Sequence, residues 1–103
     1  MVPAVENLLK DENISLKDID LFELHEGYAA NLLATCQELK LEDRMDAINC
    51  YGGSIALGCP LGAEGGRLIS TLVNIMHEKS GTLGLAAASG KGGSGAAVLM
   101  ERF

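Results

Sequence analysis

Tyr51-Gly-Gly-Ser-Ile-Ala-Leu-Gly-Cys-Pro-Leu-Gly-Ala-Glu-Gly-Gly66 sets six glycines around one Cys-Pro pair. Glycine costs roughly 0.5–1 kcal/mol relative to alanine inside regular structure. The stretch therefore reads as turns, positive φ angles and close backbone approaches. Two readings are open: a loop-rich connection, or a loop that presents the Cys59 thiol at a site.

The regular structure on either side shows what the loop connects. Downstream, a long helix runs from about Glu64 to Lys79. At ~100° per residue, Leu68, Ile69, Leu72, Val73, Ile75 and Met76 cover an arc of about 160°, whereas a one-sided surface helix needs somewhat over ~100°. Such a helix is either deeply seated in its own core or carries a face for a second domain or chain. Strands over Leu83–Ala88 and Ala96–Met100 then flank Gly90-Lys-Gly-Gly-Ser-Gly95 as a hairpin. Upstream, Ala47–Cys50 is a short strand candidate. Gly27 to about Lys40 has helical spacing, with Tyr28, Leu32, Cys36 and Leu39 on one side. Ile19–Leu24 is apolar at most positions, as in a strand covered on both faces. Pro3 opens a first helix with Val5, Leu8 and Leu9 in its stripe, and Asp11-Glu12-Asn13 ends it. Alternating helices and strands imply α/β layers in a single domain, residues 1–103.

Composition narrows the function classes. The 103 residues carry 48% hydrophobic and 21% charged side chains, ordinary for a globular domain. Net charge is −6, with eight scattered basic residues and no Trp, which argues against a nucleic-acid partner. No apolar run approaches the ~20 residues of a membrane span, and the N-terminus lacks a signal-peptide pattern. Three cysteines, Cys36, Cys50 and Cys59, form no paired framework, so a cytoplasmic or other reducing compartment is expected.

Local motifs offer little chemistry by themselves. Gly90–Gly95 matches G-x-G-x-x-G, but a strand follows it where a dinucleotide fingerprint requires a helix. No C-x-x-C or H-x-x-x-H spacing occurs, so no metal site is expected from spacing. A nucleophilic pair of His25 with Cys59 or Cys50 remains conceivable beside the reading of small buried cysteines.

Three segments taken together carry more. Glu23-Leu-His-Glu-Gly-Tyr-Ala-Ala30, Gly52-Gly-Ser-Ile-Ala-Leu-Gly-Cys-Pro-Leu-Gly-Ala-Glu-Gly-Gly-Arg67 and Gly84-Leu-Ala-Ala-Ala-Ser-Gly-Lys-Gly-Gly-Ser-Gly95 resemble, in order and spacing, the active-site segments of the C-terminal half of the thiolase family. The resemblance covers essentially the whole chain. It implies a three-layer α/β/α domain whose mixed sheet ends in an antiparallel hairpin, in the strand order 3-2-4-5-1. The first, edge strand of that order is expected to be missing from these residues.

The resemblance also implies an activity: making or breaking a carbon–carbon bond between acyl groups carried on coenzyme A. No covalently bound cofactor is implied, and coenzyme A thioesters are the substrates. His25 matches the position that anchors a water in an oxyanion hole. Cys59 stands where the family has a histidine within G-H-P, and Ser89 where it has a second cysteine. Gly27 and Tyr28 replace the usual Ala and Phe. Glu26, Gly52, Gly53, Gly58, Pro60, Gly62, Gly92, Gly93 and Gly95 fall in the loops that shape the site. The family's nucleophilic cysteine belongs to its N-terminal half, outside these residues.

These departures weaken proton handling. An imidazole titrates near pH 6.5 and carries a proton either way at neutral pH, whereas a thiol of reference pKa about 8.5 stays mostly protonated. A serine hydroxyl needs its own base. General acid–base groups contribute roughly 10²–10⁴-fold and an oxyanion donor about 10²–10³-fold. Strongly impaired acyl transfer and weak coenzyme A binding by the chain alone are expected, with a non-catalytic binding or assembly module as the alternative. A truncated piece of a longer gene is a third possibility. If the 66–79 helix leaves ~400 Å² of apolar face in water, about 10 kcal/mol of burial is unrealised. A homo-oligomer, or an N-terminal thiolase half on another chain, is the expected partner.

Overall fold

The computed structural model describes residues 1–103. Helix α1 spans Val2–Glu12, with Pro3 in its first turn, where the missing N–H is not needed. It stops at Asn13, whose left-handed φ of 55° lets the Ile14 N–H donate back to the Leu9 carbonyl at 3.0 Å. Strand β1 (Leu21–Leu24) is buried on both faces, as the sequence pattern implies. Helix α2 (Ala29–Glu38), the short α3 (Ser54–Leu57) and the long α4 (Glu64–Glu78) follow. The chain closes with β2 (Leu83–Ser89) and β3 (Gly95–Glu101).

The sheet runs β1-β2-β3, parallel between β1 and β2 and antiparallel between β2 and β3. The expected strand at 47–50 shrinks to a single parallel bridge, Phe22 with Ile48, on the free side of β1. The reason is Asn49. Its φ of 47° breaks the extended backbone, and its side chain takes over the pairing. Asn49 Oδ1 accepts from the Leu24 N–H at 2.8 Å and Nδ2 donates to the Leu24 carbonyl at 3.0 Å. Counting that bridge, the spatial order is 47–50, β1, β2, β3, which agrees with 3-2-4-5.

Three layers result. Phe22, Leu24, Leu85 and Ala87 face α1 and α2, forming one apolar cluster with Val5, Leu9, Leu32 and Cys36. Leu21 and Ala86 face α4, where Leu68, Leu72, Ile75 and Met76 close a second, smaller cluster. The broad apolar arc of α4 is thus filled from inside the domain, which corrects the expectation of a large wet face. Of its six apolar residues only Ile69 is exposed, at 37%, and Val73 is half-buried. Larger exposed apolar side chains lie elsewhere, at Ile55, Leu57 and Leu61 in the glycine-rich loop and at Tyr28 and Leu33 by α2. No helix is long and apolar enough to cross a membrane.

Candidate functional site

The carboxyl ends of the parallel strands β1 and β2 open on the same side, the usual position of ligand crevices in open α/β sheets. His25 is the first residue after β1, and its backbone N–H donates to the Ala87 carbonyl at 2.9 Å. Ser89 ends β2. The glycine-rich loop crosses above them and delivers Cys59 between Gly58 and Pro60. Gly58 adopts φ +90°, a conformation that L side chains rarely adopt. His25, Cys59, Glu64, Ser89 and Lys91 line one cavity of about 460 Å³.

The predicted site residues therefore divide. His25, Cys59, Ser89 and Gly62 share the cavity. Glu26 sits behind it, where its carboxylate accepts from Asn49 Nδ2 at 2.6 Å and from the Ile55 N–H at 2.9 Å. A β-carbon on Gly53 would fall inside that carboxyl group, so glycine here is a requirement of packing. Gly52 (φ +90°) shapes the approach to α3. Gly92 and Gly93 form the one-turn hairpin connection, Lys91–Gly93, and Gly95 starts β3 beside the N-terminal residue Met1. Cys50 is not part of the cavity; its thiol donates to the Asp46 carbonyl at 3.2 Å. That leaves Cys59 as the cysteine near His25. His77 lines a separate hollow beside Met100.

Spacing rules did not find the groups that hold this site together. The Glu64 carboxylate, only 5% exposed, accepts from four donors. Arg67 Nε donates at 3.0 Å and Nη2 at 2.8 Å, the Ser54 hydroxyl donates to Oε1, and His25 Nδ1 lies 3.1 Å from Oε1. Arg67's hydrogen bonds come first among the causes that hold the Glu64 carboxyl down at about 2, followed by those of Ser54 and His25, against the cost of burial. An ionised Glu64 can only accept, so the proton of a neutral His25 sits on Nδ1 and Nε2 is left as a proton acceptor.

Glu23 behaves oppositely. It projects from β1 onto the α4 face, is fully buried, and neither oxygen has a hydrogen-bond partner. Burial pushes its carboxyl up to about 7 despite Arg67 Nη1 at 3.7 Å. Arg67 thus stands between one saturated and one unsatisfied carboxylate. Both Glu64 and Arg67 lie within the quoted segments, but nothing in their spacing predicted contact with Glu23 or His25.

The family described as thiolase, C-terminal domain, matches residues 1–102. The chain belongs to the thiolase family, as a C-terminal domain. It is 46% identical over 101 residues to a 3-ketoacyl-CoA thiolase of Colwellia psychrerythraea, 98% of this chain and 26% of that protein. It is 47% identical over 102 residues to the 3-ketoacyl-CoA thiolase of Idiomarina loihiensis, with the same coverage of both chains. A 3-ketoacyl-CoA thiolase of Aeromonas hydrophila is 46% identical over 102 residues. The chain spans about a quarter of the length of these curated relatives, 26% in each case.

Proposed function

We propose that this domain serves a thiolase-type acyltransferase acting on coenzyme A thioesters, with proton handling weakened at two positions. The observation that carries the reading is the single cavity lined by His25, Cys59 and Ser89. Resemblance to the family assigns these three positions to an oxyanion hole, an activating imidazole and a proton-moving thiol. His25 keeps a role open to it: Glu64 fixes its Nδ1 proton and leaves Nε2 free to hold a water or a proton. A thiol at 59 and a hydroxyl at 89 are poorer at their tasks, each by a factor on the order of 10²–10⁴. The domain would act with a thiolase N-terminal half, or as a second copy in an oligomer, and the exposed Leu57 and Leu61 near the loop suit burial by such a partner. Three free thiols suit a reducing compartment.

The test combines this chain with the N-terminal half of a 3-ketoacyl-CoA thiolase and follows thiolysis of acetoacetyl-CoA. Expected turnover is at least roughly 10²-fold below that of the cognate pair. The double substitution Cys59→His with Ser89→Cys should recover much of the difference. Full turnover by the unmodified chain would refute the weakened site.

The second reading, a binding or assembly module without catalysis, is favoured by the same two replacements. It predicts a stable complex whose affinity ignores both substitutions, with no turnover even after the restoration.

A further inference from the structure

Folding brings together three donors that are far apart in sequence: His25 from the end of β1, Cys59 from the glycine-rich loop and Glu64 from the start of α4. Their imidazole nitrogen, thiol sulfur and carboxylate oxygen lie within 4.8 Å of one another. Spacing rules miss this because they look for ligand pairs on one turn or one helix face. We propose that His25, Cys59 and Glu64 form a binding site for a borderline-soft divalent cation of the Zn²⁺ class, with its fourth position open to the cavity. This inference stands apart from the acyl-transfer reading and does not need a thioester to bind.

The donor set fits that class of ion. Zn²⁺ takes Cys sulfur, His nitrogen and carboxylate oxygen in a tetrahedron, and three protein ligands leave one position for water or substrate. His25 Nδ1 and Glu64 Oε1 are 3.1 Å apart. Two ligand atoms at ~2.0–2.1 Å from a tetrahedral centre are separated by about 3.3 Å, so this edge is already at coordination distance. Cys59 lies within 4.8 Å of the other two donors, so it must close by at most roughly an ångström to complete a tetrahedron with a ~2.3 Å Zn–S bond, and it sits exposed on a loop hinged at Gly58.

The carboxylate can accommodate the ion without losing a bond. Four donors occupy Glu64, and the cation takes the place of one of them, the Nδ1 proton of His25. Arg67 and Ser54 remain as the outer groups that orient the ligand carboxylate. The proton balance is closed: the imidazole stays neutral, with its proton moved from Nδ1 to Nε2. The Cys59 thiol releases one proton to solvent as the metal–thiolate bond forms. The cationic groups facing the site are Arg67, already paired with Glu64, and Lys91 at the cavity wall. Two anionic ligands offset them.

Titration of the reduced full chain with Co²⁺ tests the inference. One ion per chain is expected, with the strong visible absorption of four-coordinate Co²⁺ and a thiolate-to-metal charge-transfer band, and Zn²⁺ should displace it. Cys59→Ser should abolish the charge-transfer band and weaken binding by roughly tenfold or more. Cys50→Ser should change neither. His25→Gln should weaken binding while leaving near-ultraviolet circular dichroism unchanged. As a check that needs no variant, Zn²⁺ should protect Cys59 from iodoacetamide, with the modified cysteine located by peptide mass. Charge transfer that survives Cys59→Ser, a band that follows Cys50, full alkylation of Cys59 under Zn²⁺, or no Co²⁺ binding below roughly millimolar concentration would each overturn the site.

Discussion

The two faces of the sheet are built on different principles. Toward α1 and α2, the sheet presents Phe22, Leu24, Leu85 and Ala87 to a continuous apolar cluster of twelve buried residues. Toward α4 the apolar cluster has six buried residues and borders Glu23, Arg67, Glu64 and Ser54, a polar network leading to His25. One face provides burial. The other gives up burial for a fixed arrangement of charges at the open end of the parallel strands, and Glu23 is left there without a hydrogen bond. The candidate site sits on the face that is less favourable for stability, where backbone and side chains hold the Glu64 carboxylate and the His25 imidazole 3.1 Å apart.

The contrast can be tested by substitution. Phe22→Ala empties the centre of the apolar face and should lower stability by about 4 kcal/mol, read as a shift in the urea midpoint. Arg67→Ala on the polar face leaves two buried carboxylates without their cation and should cost about 3 kcal/mol. Unlike the first change, it should also raise the acid titration of Glu64 from about 2 toward the ordinary carboxylate range, as read by NMR.

The pH dependence of stability separates the two carboxylates. Between about 4.5, the ordinary value, and about 7, where buried Glu23 titrates, the native chain holds more protons than the unfolded one. Stability therefore falls as pH rises through this window, by on the order of 3 kcal/mol. Glu64 acts in the reverse sense. Its stabilisation is present above about 4.5 and is lost as pH falls toward about 2. Urea melts from pH 3 to 9 should give a maximum near pH 5, and Glu23→Gln should flatten the neutral limb alone. The smallest effect expected is from Gly53→Ala. Its β-carbon displaces the Glu26 carboxylate from Asn49 and the Ile55 N–H, costing about 1–2 kcal/mol.

Much of the fold was legible. The periodicity of 64–79 gave α4 nearly to the residue, because four of its apolar positions, Leu68, Leu72, Ile75 and Met76, meet one sheet face. The glycine cluster at 90–95 read as a hairpin connection because the residues after it are strand-like, and β2 and β3 pair through it. The strand at 47–50 was not legible as a single bridge, since only the fold shows that the Asn49 side chain substitutes for backbone pairing. In the site, the quoted segments supplied every residue of the cavity, including Glu64 and Lys91. Their connections were hidden: the near-continuous apolar run of 19–24 placed Glu23 in a two-sided strand, but not against Arg67.

The order of its residues alone determined this protein's layers, its hairpin, its family and the presence of a thiol and a hydroxyl within two of its motif segments, because periodicity and motif are local properties of a chain. Only the tertiary structure decided that His25, Cys59 and Glu64 converge, that Arg67 satisfies one carboxylate and leaves another bare, and that α4 buries most of its wide apolar arc within the domain. Those outcomes depend on distances between segments up to tens of residues apart, which are set when the parallel strands pair and α4 packs across them.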